Sequence, residues 1–177
     1  MIALMLAAFC VASCGGVGPT NNTPDGGTTQ CSACVRGFSL DPASVASGAC
    51  TCVPSWRWIV TATYGTVAQR NSAGDTWDAL GGLPDPKVCM TLGGVRNCTP
   101  MRADTLSPSW GFSFPATAAD TLSGGVMVEY VDEDISSDDA ICSGQLSISA
   151  EAFRTGTWGV TCSGLAGTGF SATLAPE

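Results

Sequence analysis

Cys89 and Cys98 stand at equal distances from Gly93-Gly94 in the stretch Cys89-Met-Thr-Leu-Gly-Gly-Val-Arg-Asn-Cys98. A Gly-Gly pair between alternating runs reads as a two-residue β-hairpin loop, because both loop positions can take the positive φ that such turns require. That register sets 92 opposite 95, 91 opposite 96, 90 opposite 97 and 89 opposite 98. The two cysteines then meet at a non-hydrogen-bonded pair, where Cα atoms lie about 4.5 Å apart and a disulfide can close. One short stretch therefore implies antiparallel pairing and an oxidising compartment together.

From Trp56 onward the same pattern repeats: short apolar-alternating runs separated by Gly, Pro, Asn and Asp turns. Candidate strands are Trp58–Tyr64, Lys87–Leu92, Val95–Met101, Trp110–Phe114, Val126–Val131, Gln145–Ala150, Thr157–Cys162 and Gly169–Leu174. No segment holds a 3.6-residue apolar period over three turns. The expected fold class is all-β, an eight-stranded antiparallel β-sandwich spanning residues 54–177. Trp56, Trp58, Trp110 and Trp158 fall on or beside these strands and are expected in its core; Trp77 lies between strands and is expected in the core too, the alternative being a membrane-facing aromatic.

Ahead of the sandwich, Cys31-Ser-Ala-Cys34 and Cys50-Thr-Cys52 bracket fifteen residues. The spacing is a poor zinc pattern, with one spacer residue in the second pair, and the compartment favours disulfides. Residues 31–53 hold too few apolar groups for a core of their own, so a small disulfide-rich module is expected, with three pairings open to its four cysteines. Cys142 and Cys162 are left to pair with each other across the later strands.

The amino end reads as an address. Ile2 to Val11 is apolar but too short to cross a bilayer as a permanent helix. It runs into Val11-Ala12-Ser13-Cys14, followed by Gly15-Gly16, which resembles the lipobox of bacterial lipoprotein signal peptides. The resemblance implies a signal peptide over 1–13, lipidation of Cys14, and anchoring at the bacterial cell envelope, on the outer membrane or cell surface, without a membrane helix. A simple cleaved signal peptide is the competing reading. Residues 14–30 (CGGVGPTNNTPDGGTTQ) are nearly devoid of apolar side chains after the cysteine and read as a flexible tether.

Charge removes several functions. The net charge of −8 leaves no basic face for nucleic acid or for plain attraction to anionic lipid. The chain has no His and no G-x-S-x-G elbow, and once Cys10 leaves with the signal peptide no cysteine lacks an expected partner or modification, so an enzyme is not expected.

The acids are concentrated instead. Asp132, Glu133, Asp134, Asp138 and Asp139 make up a third of the fifteen carboxylates, and no Lys or Arg lies between Arg102 and Arg154 to balance them locally. A second acidic stretch, Asp78-Ala-Leu-Gly-Gly-Leu-Pro-Asp85-Pro, joins the first two candidate strands. Ca²⁺ takes six to eight oxygens, more than one short loop readily supplies, so two facing loops make chemical sense. An EF-hand is excluded, since its sixth position would be Ser137 and its twelfth Ser143.

Three pieces in order now resemble the C2 domain, the calcium-dependent phospholipid-binding β-sandwich. Gly82-Leu-Pro-Asp-Pro-Lys-Val88 is similar to that family's G-x-S-D-P-Y-V segment. Thr105-Leu-Ser-Pro-Ser-Trp-Gly-Phe-Ser-Phe114 resembles its T-x-N-P-x-W-N-E-x-F-x-F strand, and Val126 to Asp134 with Asp138-Asp-Ala-Ile141 resembles its third-loop motif. The resemblance implies that Asp78 and Asp85 supply the first calcium loop and Asp132, Asp134 and Asp139 the third, with backbone oxygens from Trp77 and Glu133. The first loop is one residue longer than the pattern, which makes Asp75 an alternate to Asp78. The third is one residue shorter, which makes Asp138 an alternate to Asp139. Leu80, Leu83 and Ile135 stand near the presumed tips, where they either enter lipid shallowly or pack the loops together.

The sequence therefore leads to a non-catalytic, lipid-anchored envelope protein whose calcium-binding domain docks on phospholipid or a surface protein. The alternative is a structural or adhesion lipoprotein in which calcium only stabilises the loops, or is not bound.

Overall fold

The computed structural model describes residues 31–78, 82–134 and 138–177. Residues 1–30, with the expected signal peptide, Cys14 and tether, lie outside the described residues, as do Leu80 and Ile135, expected at the loop tips. No helix among the described residues is long and apolar enough to cross a membrane.

In the cysteine-rich stretch, β1 (Phe38–Leu40) pairs with β2 (Cys52–Pro54), and α1 (Pro42–Ala46) lies between them, capped by the Asp41 carboxylate. Its bridges are Cys31–Cys50 and Cys34–Cys52. Residues 31–177 form one compact unit. Phe38 stands edge-on to Trp58 at 5.7 Å, and a Cβ on Gly37 would lie 2.7 Å from the Trp58 ring.

Eight further strands build two antiparallel sheets. In chain order these are β3 (Arg57–Thr66), β4 (Pro86–Leu92), β5 (Val95–Cys98), β6 (Ser109–Ser113), β8 (Val126–Asp132), β9 (Asp139–Leu146), β10 (Thr157–Thr161) and β11 (Gly169–Pro176). One sheet runs β10-β11-β3-β6 and the other β5-β4-β8-β9. The short β7 (Thr117–Ala118) pairs with the start of β3 and leads into α2 (Ala119–Gly124). Strands alternate as expected of a sandwich: in β3, Trp58, Val60 and Ala62 face the core.

Between the sheets, aromatic rings pack edge to face, the geometry their quadrupoles favour. Trp110 meets Tyr130 at 6.0 Å between centroids, Tyr130 meets Phe170 at 5.9 Å, and Phe170 meets Trp158 at 6.0 Å. Tyr130 comes from one sheet and its two neighbours from the other, and burial raises its hydroxyl pKa above the ordinary value.

The Gly93-Gly94 hairpin takes the expected register, with both glycines at positive φ and Cys89 opposite Cys98. Those two cysteines are bridged at a Cα separation of 4.0 Å, and Cys142 is bridged to Cys162 at 5.6 Å. The second bridge ties β9 of one sheet to the residue after β10 of the other.

Two expectations change. The strand expected over Gln145–Ala150 begins earlier, as β9, and residues from Ala150 onward form the helix α3 (Ala150–Thr155). Ser149 caps that helix through the Ala152 N–H and Gly156 ends it at positive φ, so local capping chemistry outweighs the alternating pattern. Trp56 is 46% exposed rather than in the core. It precedes β3, outside the sandwich, and the Arg36 guanidinium lies 5.8 Å over its ring.

Candidate metal centre

Antiparallel pairing brings the acidic residues to one end of the sandwich. Pro86 opens β4 opposite Asp132, which closes β8, and Asp132 is in turn opposite Asp139, which opens β9. The connections from β3 to β4 and from β8 to β9 therefore leave from neighbouring strand ends. The loop 99–108 between β5 and β6 joins them, since Thr105 N–H donates to the Pro84 carbonyl at 2.9 Å and Val67 N–H to the Leu106 carbonyl at 2.9 Å.

Backbone hydrogen bonds fix the floor. Asp85 N–H donates to the Asp132 carboxylate, and Glu133 N–H donates to the Asp85 carbonyl. Asp104, at positive φ, donates its N–H to Asp85 Oδ1 at 2.7 Å. Pro86 needs no partner for an N–H at the strand entrance, which suits Pro at a strand's first residue.

On this floor Asp78, Asp132 and Asp134 each present a carboxylate oxygen within 4.8 Å of the other two. Asp132 is fully buried, and its Oδ2 has no hydrogen-bond partner among the described residues. Burial, with the charges of Asp134, Asp78 and Asp85 beside it, pushes the Asp132 carboxyl up to about 6 against the opposing pull of the Asp85 N–H. Burial and then the charges of Asp139 and Asp78 raise Asp134 as well. Gly82 permits this crowding: a Cβ there would lie 2.3 Å from Asp78 Oδ2.

The other expected residues take distinct places. Asp85 borders the triad but spends one oxygen on Asp104. Asp139 is exposed beside Asp134. Asp75 is exposed in a separate turn closed by Asn71, whose side chain accepts from the Asp75 N–H at 3.0 Å, so Asp78 rather than Asp75 reaches the other carboxylates. Trp77 is buried, with its indole N–H on the Ala68 carbonyl at 2.8 Å. Leu83 is 38% exposed.

The acidic loop has no counter-ion in its own neighbourhood in sequence, as expected, but β4 supplies one. Lys87 Nζ lies 3.1 Å from Glu133 and 3.0 Å from Asp138. Burial pulls the Lys87 pKa down, but its bonds to Asp138 and Glu133 outweigh that and hold it above the ordinary value. Asp138 is thereby held by Lys87, while the triad has no basic partner among the described ion pairs. Lys87, Gly82 and Asp104 were not singled out as site residues from the sequence. Gly82 and Lys87 lie inside the segment that carried the family resemblance; nothing local marks Asp104.

An oxygen-only set with a buried, unpartnered carboxylate oxygen fits a hard cation, Ca²⁺ above all. Asp78, Asp132 and Asp134 would hold it, with Asp85 and Asp139 at the rim; bound, it would neutralise their mutual repulsion.

No family model matches the sequence. No curated protein matches it either. Solved structures do match by fold. The paired C2 domains of extended synaptotagmin 2 align over 70% of this chain and 42% of theirs, at 18% identity and a TM-score of 0.53. The calcium-bound form of the same pair aligns over 70% and 46%, at 16% identity and 0.51. Human GIVD cytosolic phospholipase A2 aligns over 68% of this chain and 16% of its own, at 19% identity and 0.50. The chain thus spans less than half the length of each of these three. Taken with the two sheets and the loop cluster at one end, these likenesses show that the described residues fold as a C2-like β-sandwich.

Proposed function

We propose that the chain is a non-catalytic, calcium-binding module that docks on phospholipid or a surface partner, held at the bacterial cell envelope by lipid on Cys14. The observation that carries the calcium reading is Asp132 Oδ2, buried against Asp78 and Asp134 with no hydrogen-bond partner among the described residues. An unpaired buried charge is costly, and a cation at that point removes the cost. Outside the cytosol calcium is commonly near-millimolar, so even a weak site fills. The anchor reading rests on the lipobox-like Val11-Ala-Ser-Cys14.

The disulfide-closed unit 31–177, stripped by chelator, is titrated with Ca²⁺ by calorimetry and heated with and without the ion. Calcium raises the melting temperature, and Asp132→Asn with Asp134→Asn abolishes both the rise and the binding heat. A wild-type protein indifferent to calcium in both measurements would refute the reading. Co-sedimentation of the same unit with anionic liposomes then divides docking from fastening. Calcium-dependent pelleting supports docking; a melting shift without pelleting supports the structural alternative. Acylation is read by mass spectrometry of the mature protein, with Cys14→Ser as control.

A further inference from the structure

The β10-β11-β3 face of the sandwich turns outward an array in which almost every side chain is a hydroxyl or a hydrogen. Its central rung runs Gly159–Ser171–Tyr64 across the three strands. One rung along stand Thr161 and Thr66, opposite each other across Gly169; on the other side Thr157 faces Thr173. Two adjoining depressions, of about 280 and 320 Å³, lie over this grid and share Tyr64, Gly159 and Ser171. Among the described residues no charged one lines either depression, on a chain whose net charge is −8.

Two features of the grid lack an explanation in folding. The first is Tyr64, which is 59% exposed. A register shift in β3 between Ala62 and Tyr64 makes Thr63 the extra residue and rotates Tyr64 to the outer face. Bulges of this kind re-aim a side chain at a local cost in pairing. The second is Gly159. Gly65 and Gly169 are required by packing, because a Cβ would lie 2.7 Å from the Tyr130 hydroxyl in one case and 2.1 Å from the Val160 carbonyl in the other. Gly159 meets nothing within 4 Å and has no positive φ. Glycine inside a strand weakens it, and close approach of a ligand is one use that a strand glycine without a packing demand serves.

We propose that this face binds a neutral glycan chain. Tyr64 forms a wall against which the apolar face of a sugar ring stacks, and it stands roughly 10 Å from Gly159, two strand spacings away. Gly159 and Ser171 form the floor between them, where a ring lies close to backbone. Threonine hydroxyls on the flanking rungs can donate to or accept from sugar hydroxyls, and either role suits a polyol. A charged glycan or lipid headgroup would find no counter-ion here. The inference is independent of calcium.

The test uses the full chain in mild detergent, incubated with microcrystalline cellulose, chitin and insoluble starch, followed by titration with cellohexaose or chitohexaose. Retention is expected on at least one polysaccharide. It should fall at least tenfold in Tyr64→Ala and in Gly159→Val, while chelator and Asp132→Asn leave it unchanged. The valine fills the floor at a position with open space and strand geometry, so its melting temperature should hold or rise, which separates lost binding from lost folding. Absence of retention on all three polysaccharides would overturn the proposal. So would retention undiminished in both variants, or self-association through this face that both variants abolish.

Discussion

Asp132 carries opposite demands. One oxygen accepts the Asp85 N–H and so holds β4 and β8 together at the loop end, while the other is buried with no partner among the described residues. Its carboxyl titrates at about 6 when folded, against roughly 4 in an unfolded chain. The folded state therefore binds that proton more tightly. In calcium-free protein this contribution to stability is full below about pH 4 and is lost as pH rises through about 6, a change on the order of 3 kcal/mol. The calcium-free melting temperature of wild-type protein should accordingly fall, between pH 4.5 and 7, relative to that of Asp132→Asn. Parallel profiles for the two proteins would show that the buried charge is not the cause. Gly82 is the second residue on which the site depends. Gly82→Ala puts a methyl into the Asp78 carboxylate, so it should weaken calcium binding at least tenfold while moving the calcium-free melting temperature little. The first is read by calorimetry and the second by thermal unfolding. Of the site, the carboxylates were legible because acid type and spacing are local. Lys87 was not, because it reaches Glu133 and Asp138 only after β4 and β8 have paired.

Among the elements, the turn and register of the β4–β5 hairpin were read correctly to the residue, because turn, register and disulfide are all encoded within ten positions, although β5 stops at Cys98 rather than at Met101. The Cys89–Cys98 bridge closes a short loop, and the chain-entropy model gives it roughly 2–3 kcal/mol. Urea unfolding of Cys89→Ala with Cys98→Ala should show a loss of that size with the fold retained. β9 was misplaced for the opposite reason. Its residues Asp139–Leu146 include Cys, Ser, Gly and Gln, and β8 supplies the hydrogen bonds that make them a strand. The cap residues Ser149 and Gly156 were present in the sequence, but a helix of six residues is too short to impose a period.

At the scale of the molecule, Cys142–Cys162 and the edge-to-face rings of Trp110, Tyr130, Phe170 and Trp158 join the two sheets. The bridge spans a sequence separation of 20 against 9 for the hairpin bridge. Its removal by Cys142→Ala with Cys162→Ala should cost about 3 kcal/mol and exceed the loss from the hairpin bridge, measured by the same unfolding. Equal or smaller loss would mean that the aromatic core alone holds the sheets. The cysteine-rich stretch packs Phe38 against Trp58, inside the same compact unit as the sandwich.

By itself the sequence determined the sandwich class, the hairpin register and the composition of the acidic loops, because turn chemistry, alternation and residue type act over a few neighbouring positions. Tertiary structure alone decided that Asp78, rather than Asp75, reaches Asp132 and Asp134, that Lys87 takes Asp138, and that Tyr64 faces outward on the same rung as Gly159. Each of those depends on which strands lie side by side, and strand pairing over dozens of residues is set by the burial of the whole core.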